Sequence, residues 1–210
     1  MTNEIERALH ELKLPGMASC WNSLEETHQL DKISLRDGMQ IMLQNERDTR
    51  QNNRIQRLIK QANFRLKASV EELETDTTRG ISAASAAELA AGGYIDNGMT
   101  VIITGPAGTG KSYFACALGD RACRNGVKVM YFTMNMLIEN LKLVHLEGRE
   151  TNFFRKLNNQ DVLIVDDFLA SIIHAEKSDN TPLIVIAGDA AQPLPKEAHV
   201  LPTPIRPAKL

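Results

Sequence analysis

The sequence predicts an α/β protein in which a parallel sheet lies between two layers of helices, preceded by an all-helical N-terminal domain. Residues 1–78 contain a single proline and few glycines, and their apolar residues recur at helical spacing. From residue 99 onward, short apolar segments alternate with helical ones in the order strand, helix, strand, helix, strand. That order implies right-handed crossovers between parallel strands, and hence a three-layer α/β/α sandwich.

A glycine-rich loop follows the first apolar segment of this core. Residues 99–103 predict a strand and Lys111–Arg124 predicts a helix. Between them, residues 105–112 match the P-loop (Walker A) pattern of glycine, four residues, Gly-Lys and Ser or Thr. Glycines let successive N–H groups point into one concavity, and the helix start adds the positive end of its dipole. The order of strand, loop and helix favours a phosphate-binding loop over an ordinary glycine-rich turn.

The P-loop pattern assigns roles to the residues at the helix start. Lys111 is predicted to reach the β- and γ-phosphates of ATP, which also makes it a candidate catalytic residue, and the Ser112 hydroxyl is predicted to bind Mg²⁺. The predicted nucleotide contacts are Gly105, Pro106, Ala107, Gly108, Thr109, Gly110, Lys111, Ser112 and Tyr113.

A second chemical signal is a pair of carboxylates further along the chain. The four apolar residues 162–165 predict a strand buried on both faces of a parallel sheet, and Asp166 and Asp167 follow at its carboxyl end. Ligands bind at that end of the strands in open α/β sheets. Asp166 is predicted to hold the Mg²⁺ through water, and Asp167 to polarise the attacking water as a general base.

The third predicted helix of the N-terminal domain, residues 35–65 after an N-cap at Ser34, is basic in its second half. Four arginines share one face of this helix, at spacings of three, four and three: Arg47, Arg50, Arg54 and Arg57. Such a row is the electrostatic footprint of a helix lying on phosphates, but a solvated face paired with acids elsewhere fits it equally well. No aromatic residues interleave, which argues against stacking of single-stranded bases.

Composition adds little to the choice of function. The chain has 210 residues and a formal net charge of −2, so its overall charge does not indicate nucleic-acid binding. Its three cysteines have no metal or disulfide spacing and are expected to be reduced core residues of a cytoplasmic protein. No apolar run has the length of a membrane span, and the polar start of the chain does not match a signal peptide.

These motifs together resemble the IstB family, the AAA+ helper ATPases of insertion-sequence transposition, which are related to the DnaC-type helicase loaders. The resemblance covers about residues 1–170. It rests on residues 12–17 (Leu-Lys-Leu-Pro-Gly-Met), the basic helix, residues 79–80, the P-loop with residues 114–119 after it, and residues 163–167. It implies an ATP-dependent homo-oligomer that assembles on duplex DNA, bends it, and activates or targets a partner transposase. Under this resemblance the four arginines gain weight as DNA contacts.

Other functions remain open at this point. A helicase loader would share the core but would bind a replicative helicase and single-stranded DNA, although residues 12–17 favour the transposition helper. A non-hydrolysing remnant would bind DNA through its helical region alone. A small P-loop kinase is a more distant alternative, because nothing in the sequence resembles a lid over an acceptor substrate.

The sequence departs from the family pattern after Asp167. Proteins of the AAA+ type would continue with a helix, a fourth strand ending in a polar sensor residue, an arginine finger and a fifth strand, but only 43 residues remain. Residues 171–178 could form a short helix and residues 182–187 a strand. Six of the eight prolines fall from Pro182 onward, a composition typical of extended or disordered chain.

The expected organisation is therefore a helical DNA- or partner-binding domain (1–78), an incomplete ATPase core (79–187) and a proline-rich tail, extended or disordered (188–210). Either a truncation or frameshift after Asp167 or a genuine short variant would explain the tail. Arg206 is the only arginine after Arg155 and is a poor candidate for an arginine finger. Nucleotide binding is thus better supported than hydrolysis, because an arginine finger contributes about 10³–10⁵ in rate.

Overall fold

The structure, a computed structural model, describes residues 4–74, 81–105, 108–168, 183–187, 199–201 and 206–207. The chain divides into two compact units, Met1–Arg57 and Leu58–Leu210. The boundary predicted near Arg79 therefore falls within the second unit. The physical reason is that apolar side chains soon after Arg57, such as Leu58, Ile59 and Phe64, pack against the core of the second unit.

The first unit is built from helices, as predicted. They are α1 (Glu4–Glu11), α2 (Pro15–Glu26) and the first part of α3 (Leu35–Ala62). The predicted N-cap of α3 is confirmed, because the Ser34 hydroxyl oxygen accepts from the Asp37 N–H at 3.2 Å. The same hydroxyl donates to the Asp37 carboxylate at 2.6 Å. The helix ends at Ala62, three residues before the predicted end at Arg65.

The start of α2 lies directly against α3 within the first unit. A Cβ placed on Gly16 would lie 2.7 Å from the Glu46 Cα and 2.8 Å from the Asn45 carbonyl oxygen, so only glycine allows this approach. The Glu46 carboxylate accepts hydrogen bonds from the backbone N–H of Gly16 at 2.7 Å and of Met17 at 3.1 Å. Glu46 therefore caps the first turn of α2, whose N–H groups have no partner within the helix.

The second unit continues with a short 3₁₀ turn (Val70–Glu72) and then alternates strands and helices. Its described helices are α4 (Ala83–Ala91), α5 (Gly93–Asp96), α6 (Lys111–Arg124), α7 (Met134–Leu146) and α8 (Glu150–Asn158). Its described strands are β1 (Leu73–Glu74), β2 (Val101–Ile103), β3 (Val129–Thr133), β4 (Val162–Phe168), β5 (Leu183–Ala187), β6 (His199–Leu201) and β7 (Arg206–Pro207). None of the helices in these ranges or in the first unit is long and apolar enough to cross a bilayer.

The main sheet has five parallel strands in the order β3-β4-β5-β2-β6. From β2 the chain crosses through α6 to the far edge, and from β3 it returns through α7 and α8 to β4. Because crossovers between parallel strands are right-handed, these opposite directions place α6 and α7 on opposite faces of the sheet. The predicted three-layer α/β/α core with a parallel sheet is thus confirmed.

The segment predicted to be an extended or disordered tail contributes two strands. β6 pairs with β2 in parallel, and β7 pairs with β1 in antiparallel orientation. The strand predicted at residues 182–187 is present at Leu183–Ala187 and lies between β4 and β2. The backbone of β2 is buried and needs hydrogen-bond partners on both sides. β6 supplies the partner on the side away from β5, although the surrounding chain is rich in proline. The predicted helix at residues 171–178 lies outside the described residues.

Helix α6 packs closely against the sheet at Gly119. A Cβ placed on this glycine would lie 2.6 Å from the Phe64 ring and 2.8 Å from the Ile164 Cδ1. Cys116 and Cys123, on the same helix, are free and buried, as predicted, and burial raises the pKa of their thiols to about 11 and about 12. Both cysteines are therefore unreactive core residues at neutral pH.

Replacing Gly119 with alanine overpacks the contact with Phe64 and Ile164, which costs about 1–3 kcal/mol. The gain in helix propensity offsets up to about 1 kcal/mol of this cost, so we expect the free energy of unfolding to fall by about 0–2 kcal/mol relative to the wild type. Thermal unfolding followed by circular dichroism checks the effect. Gly93→Ala is the matched control, because a Cβ there meets no atom within 4 Å. Equal stability of both variants would contradict the close packing.

Candidate nucleotide-binding site

The predicted phosphate-binding loop connects β2 to α6. Gly105, Gly108 and Gly110 have φ angles of 144°, 79° and 89°, a region that residues with a side chain rarely adopt. Gly110 is the N-cap of α6 and carries no side chain that could occupy the N–H groups of the first turn. These N–H groups can therefore donate hydrogen bonds to a bound anion, as helix N-termini do. Pro106 and Ala107, two of the predicted nucleotide contacts, lie outside the described residues.

The Lys111 side chain folds back over the loop. Its Nζ donates to the Gly105 carbonyl oxygen at 2.6 Å, so the ammonium group lies at the start of the loop although Lys111 follows its end. The positive charge is thus held beside the backbone that the P-loop pattern assigns to the phosphates. An ammonium group forms stronger hydrogen bonds with charged phosphate oxygens than with a neutral carbonyl oxygen.

Ser112 and Tyr113 complete the first turn of α6. The Tyr113 hydroxyl donates to Glu72 Oε2 at 2.8 Å, which directs the ring to the 3₁₀ turn before β1. Burial and then the Glu72 carboxylate raise the pKa of Tyr113 above its usual value. Because the hydroxyl is engaged with Glu72, a nucleotide contact of Tyr113 would have to come from the ring or the backbone.

The predicted phosphate-binding loop and the predicted metal ligand Asp166 lie at the same edge of the sheet. The register pairs Val165 of β4 with Val185 of β5, and Val185 with Ile102 of β2. Asp166 and Ile103 each lie one residue further toward the carboxyl ends of their strands. With one strand between them, their backbones are about 10 Å apart. The loop that begins at Gly105 therefore starts beside Asp166 and not at the opposite end of the sheet.

The Asp166 side chain points to the face covered by α6. Ile164, two residues earlier on the strand and thus on the same face, contacts α6 at Gly119. The Asp166 charge also contributes to the raised pKa of Cys116, after the larger effect of burial. Ser112 precedes Cys116 by four residues, so both lie on one side of the helix. Ser112 and Asp166 are thereby brought to one face of the sheet.

Asp166 is 0% exposed, and two donors hold its carboxylate. The Tyr131 hydroxyl donates to Oδ2 at 2.6 Å, and the Asp167 backbone N–H donates to Oδ1 at 2.8 Å. Burial and then the bond to Asp166 raise the pKa of Tyr131 well above its usual value, so the phenol stays protonated. A carboxylate offers about four lone-pair sites. Asp166 therefore keeps acceptor capacity for a ligand after both bonds are made.

The oxygen atoms of Asp166 and Ser112 are of the chemical type that magnesium binds. A carboxylate and an aliphatic hydroxyl are hard oxygen ligands, and Mg²⁺ in nucleotide sites uses few protein ligands and keeps several waters. Asp166 and Ser112 would hold the ion, directly or through its waters. When bound with ATP, such an ion neutralises charge on the phosphates.

Asp167 differs from Asp166 in its exposure and in its contacts. Its φ is 58°, which is uncommon for a residue with a side chain, and it lies in an irregular stretch of the β4–β5 pairing. Its side chain is 66% exposed and forms an ion pair with Arg65 at 3.7 Å between Nη1 and Oδ2. An exposed pair of this kind contributes about 0–1 kcal/mol. Asp167 is thus accessible to water and held weakly.

Two residues at this site were not predicted from the sequence. Tyr131 contacts Asp166, and Arg65 contacts Asp167. Arg65 belongs to the basic run that the sequence shows, but the run gives no sign that its last part faces a carboxylate. Tyr131 is the central residue of β3, the strand adjacent to β4, and only the strand order brings it to Asp166.

The predicted basic row on α3 is not uniform. The Arg50 Nε donates to Glu46 Oε1 at 2.7 Å, and its Nη2 donates to the Lys13 carbonyl oxygen at 3.3 Å. Arg50 thus belongs to the network that caps α2. Among the described residues, no side-chain ion pair engages Arg47, Arg54 or Arg57, and all three are exposed. The alternative of a basic face paired with acids therefore holds for Arg50 within the described part of the chain.

The strand order, the loop between β2 and α6 and the carboxylate at the same edge define a P-loop NTPase fold. The family model of the IstB-like ATP binding proteins matches residues 7–186. The chain belongs to this family.

Proteins similar to this chain include ATP-binding proteins of bacterial insertion sequences. The chain is 34% identical over 196 residues to a protein assigned as the ATP-binding protein of insertion sequence IS1162 in Pseudomonas fluorescens, covering 91% of this chain and 82% of the relative. A protein assigned as an insertion sequence ATP-binding protein in Sinorhizobium fredii is 31% identical over 160 residues. That alignment covers 76% of this chain and 65% of the relative.

Solved structures show a lower similarity. The crystal structure of the DnaC helicase loader matches with a TM-score of 0.48 and 20% identity, covering 60% of this chain and 78% of that chain. A replication initiator DnaA bound to AMPPCP and single-stranded DNA matches with a TM-score of 0.49 and 15% identity, over 67% of this chain and 51% of that chain.

Proposed function

We propose that the protein is an AAA+ helper of insertion-sequence transposition that binds ATP with Mg²⁺ and acts on duplex DNA as a homo-oligomer together with a transposase. The observation that carries the proposal is the Lys111 ammonium group placed over the glycine loop at Gly105, with the buried Asp166 at the same edge of the sheet. Family membership supports the nucleotide, and relatives assigned to insertion sequences support the transposition context. The cytoplasm is the compartment expected for such a protein.

In the proposed site, different groups of the chain bind the phosphates, hold the metal ion and accept a proton from water. The loop N–H groups and Lys111 bind the phosphates, while Ser112 and Asp166 provide oxygen ligands. Asp167 is exposed beside this edge and would accept a proton from water as a general base. Arg65 would orient it. Arg206 has its backbone in β7, paired with Glu74 of the same chain, and we do not assign it as an arginine finger.

Equilibrium binding of a fluorescent ATP analogue, measured with Mg²⁺ and with EDTA, tests the nucleotide part of the proposal. We expect saturable binding that excess ATP reverses and that Mg²⁺ strengthens. Binding of the analogue that ATP does not displace would contradict a specific site. ATP turnover with and without duplex DNA then shows whether the bound nucleotide is hydrolysed.

The proposed DNA surface is the set of exposed arginines Arg47, Arg54 and Arg57. The double variant Arg47→Ala, Arg54→Ala is expected to weaken binding to all duplex sequences and to reduce the slope of log K against log salt by about 2, because each lost phosphate contact changes it by about 0.9. Filter binding or fluorescence anisotropy at several salt concentrations measures the slope. Arg50 is unsuitable for this test, because its removal would also disturb Glu46.

The control for this prediction is the double variant Arg7→Ala, Lys32→Ala, which removes the same charge from exposed positions of the first unit outside the basic row. An unchanged slope in the arginine variant would place the DNA contacts elsewhere. Tighter binding of single-stranded than duplex DNA by the unmodified protein would instead support a helicase-loader function.

A further inference from the structure

Tyr131 is a buried polar residue of β3 to which the sequence motifs assign no role. Its side chain is 1% exposed, and its hydroxyl makes a 2.6 Å hydrogen bond to the Asp166 carboxylate. Tyr131 pairs in register with Ile164 on the neighbouring strand, so its side chain lies on the same face of the sheet as Asp166. The register of β3 and β4 therefore places the two side chains next to each other.

The Tyr131 ring is held by its surroundings. The Phe64 ring meets it edge to face, with ring centroids 6.5 Å apart and planes at 66°. Ile164 and Cys116 belong to the same buried cluster. A side chain packed in this way has lost its rotamer freedom on folding, so the direction of its hydroxyl is set before any ligand arrives.

The two hydrogen bonds fix the orientation of the carboxylate. The Asp167 N–H holds Oδ1 and the Tyr131 hydroxyl holds Oδ2, which together determine the plane of the carboxylate and leave acceptor capacity on each oxygen. Groups that hold a metal ligand in this manner typically change metal affinity by about 10–100-fold when they are removed.

We propose that Tyr131 is a positioning residue of the nucleotide site, whose hydroxyl holds Asp166 in the orientation that receives magnesium bound with ATP. This inference rests on the proposed function, because it requires that ATP binds with Mg²⁺ at this edge of the sheet. Tyr131 itself touches neither the nucleotide nor the ion. Its effect passes through Asp166 alone.

The test compares ATP affinity in EDTA with ATP affinity in Mg²⁺, and takes the ratio of the two dissociation constants as the readout. Tyr131→Phe keeps the ring and removes the hydroxyl. We expect the ratio to fall about 10-fold in this variant, while the affinity in EDTA stays the same. Tyr94→Phe is the matched control, because Tyr94 is also buried in the core of the second unit, and its ratio is expected to remain unchanged.

The results that would overturn this inference can be distinguished from the result that would overturn the proposed function. If the unmodified protein binds ATP without any response to Mg²⁺, the proposed metal site itself is wrong. If it responds and Tyr131→Phe responds equally, Tyr131 does not position Asp166. An equal loss of affinity with and without Mg²⁺ would show a merely structural role.

A second variant keeps the test valid should Tyr131→Phe not fold. Phe64→Leu loosens the packing of the Tyr131 ring without removing the hydroxyl. We expect the same ratio to fall, by a smaller factor than in Tyr131→Phe. A ratio unchanged from that of the unmodified protein would contradict the proposal.

Discussion

Replacing Lys111 with alanine is expected to abolish measurable ATP binding. The ammonium group lies over the start of the phosphate loop, 2.6 Å from the Gly105 carbonyl oxygen. Contacts from a charged donor to the β- and γ-phosphates contribute about 1.5–3 kcal/mol each. Losing two such contacts weakens binding by a factor of about 100 or more. Titration of the fluorescent ATP analogue, at protein concentrations that bracket the wild-type dissociation constant, measures this loss.

Lys128→Ala is the control for this prediction. Lys128 is exposed and directly precedes β3, at the opposite end of the sheet from the loop. Removing it changes the net charge by the same amount and is expected to leave ATP affinity unchanged. Wild-type affinity in the Lys111→Ala variant would show that the glycine loop is a structural turn, and the proposed function would fail with it.

The second large effect is expected from Glu46→Ala, in the helical unit. Glu46 is 5% exposed and accepts hydrogen bonds from two backbone N–H groups of α2 and from Arg50. Its removal leaves the N–H groups of Gly16 and Met17 without their acceptor, at about 1–3 kcal/mol each. We expect the free energy of unfolding of the first unit to fall by about 2–4 kcal/mol. Urea unfolding followed by fluorescence of Trp21, the single tryptophan, reports on this unit.

The effect of Glu46 depends on pH in a predictable direction. Burial acts to raise the pKa of Glu46, but hydrogen bonds from Arg50, Met17 and Gly16 outweigh it, so the pKa lies below its usual value. A carboxyl group with a lowered folded-state pKa contributes stability above its unfolded pKa, which is lost as pH falls through the folded value. The stability difference between the wild type and Glu46→Gln should therefore narrow below about pH 4.3.

Glu11→Gln provides the comparison for Glu46. Glu11 pairs with Arg7 at 3.8 Å on α1, and both side chains are mostly exposed, so its loss should change stability by about 0.5 kcal/mol or less. An equally small effect of Glu46→Ala at neutral pH would show that the capping network does not stabilise the first unit.

Local signals in the sequence predicted much of the fold. The start of α3 is set by a hydrogen bond between Ser34 and Asp37, which are three residues apart in the sequence. Helix α6 begins at Lys111 and ends at Arg124, as predicted. The P-loop pattern and the apolar run before Asp166 likewise depend on neighbouring residues alone. Such features are readable from one sequence, because caps, glycine turns and periodicity are set by residues close along the chain.

Features that depend on distant pairing could not be predicted. The apolar periodicity of α3 continues through Leu58 and Ile59, and nothing in it shows that these residues pack on a different core from those before them. The bond from Tyr131 to Asp166 joins residues 35 positions apart and requires the strand order. Arg50 resembles its neighbours in the basic row, and only the crossing of α2 at Gly16 shows that it is a structural residue.

The position of β2 has a consequence for how the protein is made. Both strands that flank β2 come from the chain roughly eighty residues or more after it, whereas β3 and β4 follow each other and pair directly. During synthesis on the ribosome, the strand that leads into the glycine loop therefore stays unpaired until β5 and then β6 have emerged. A nascent chain that ends before β5 would carry the complete loop motif and yet lack the hydrogen-bonded support on either side of it.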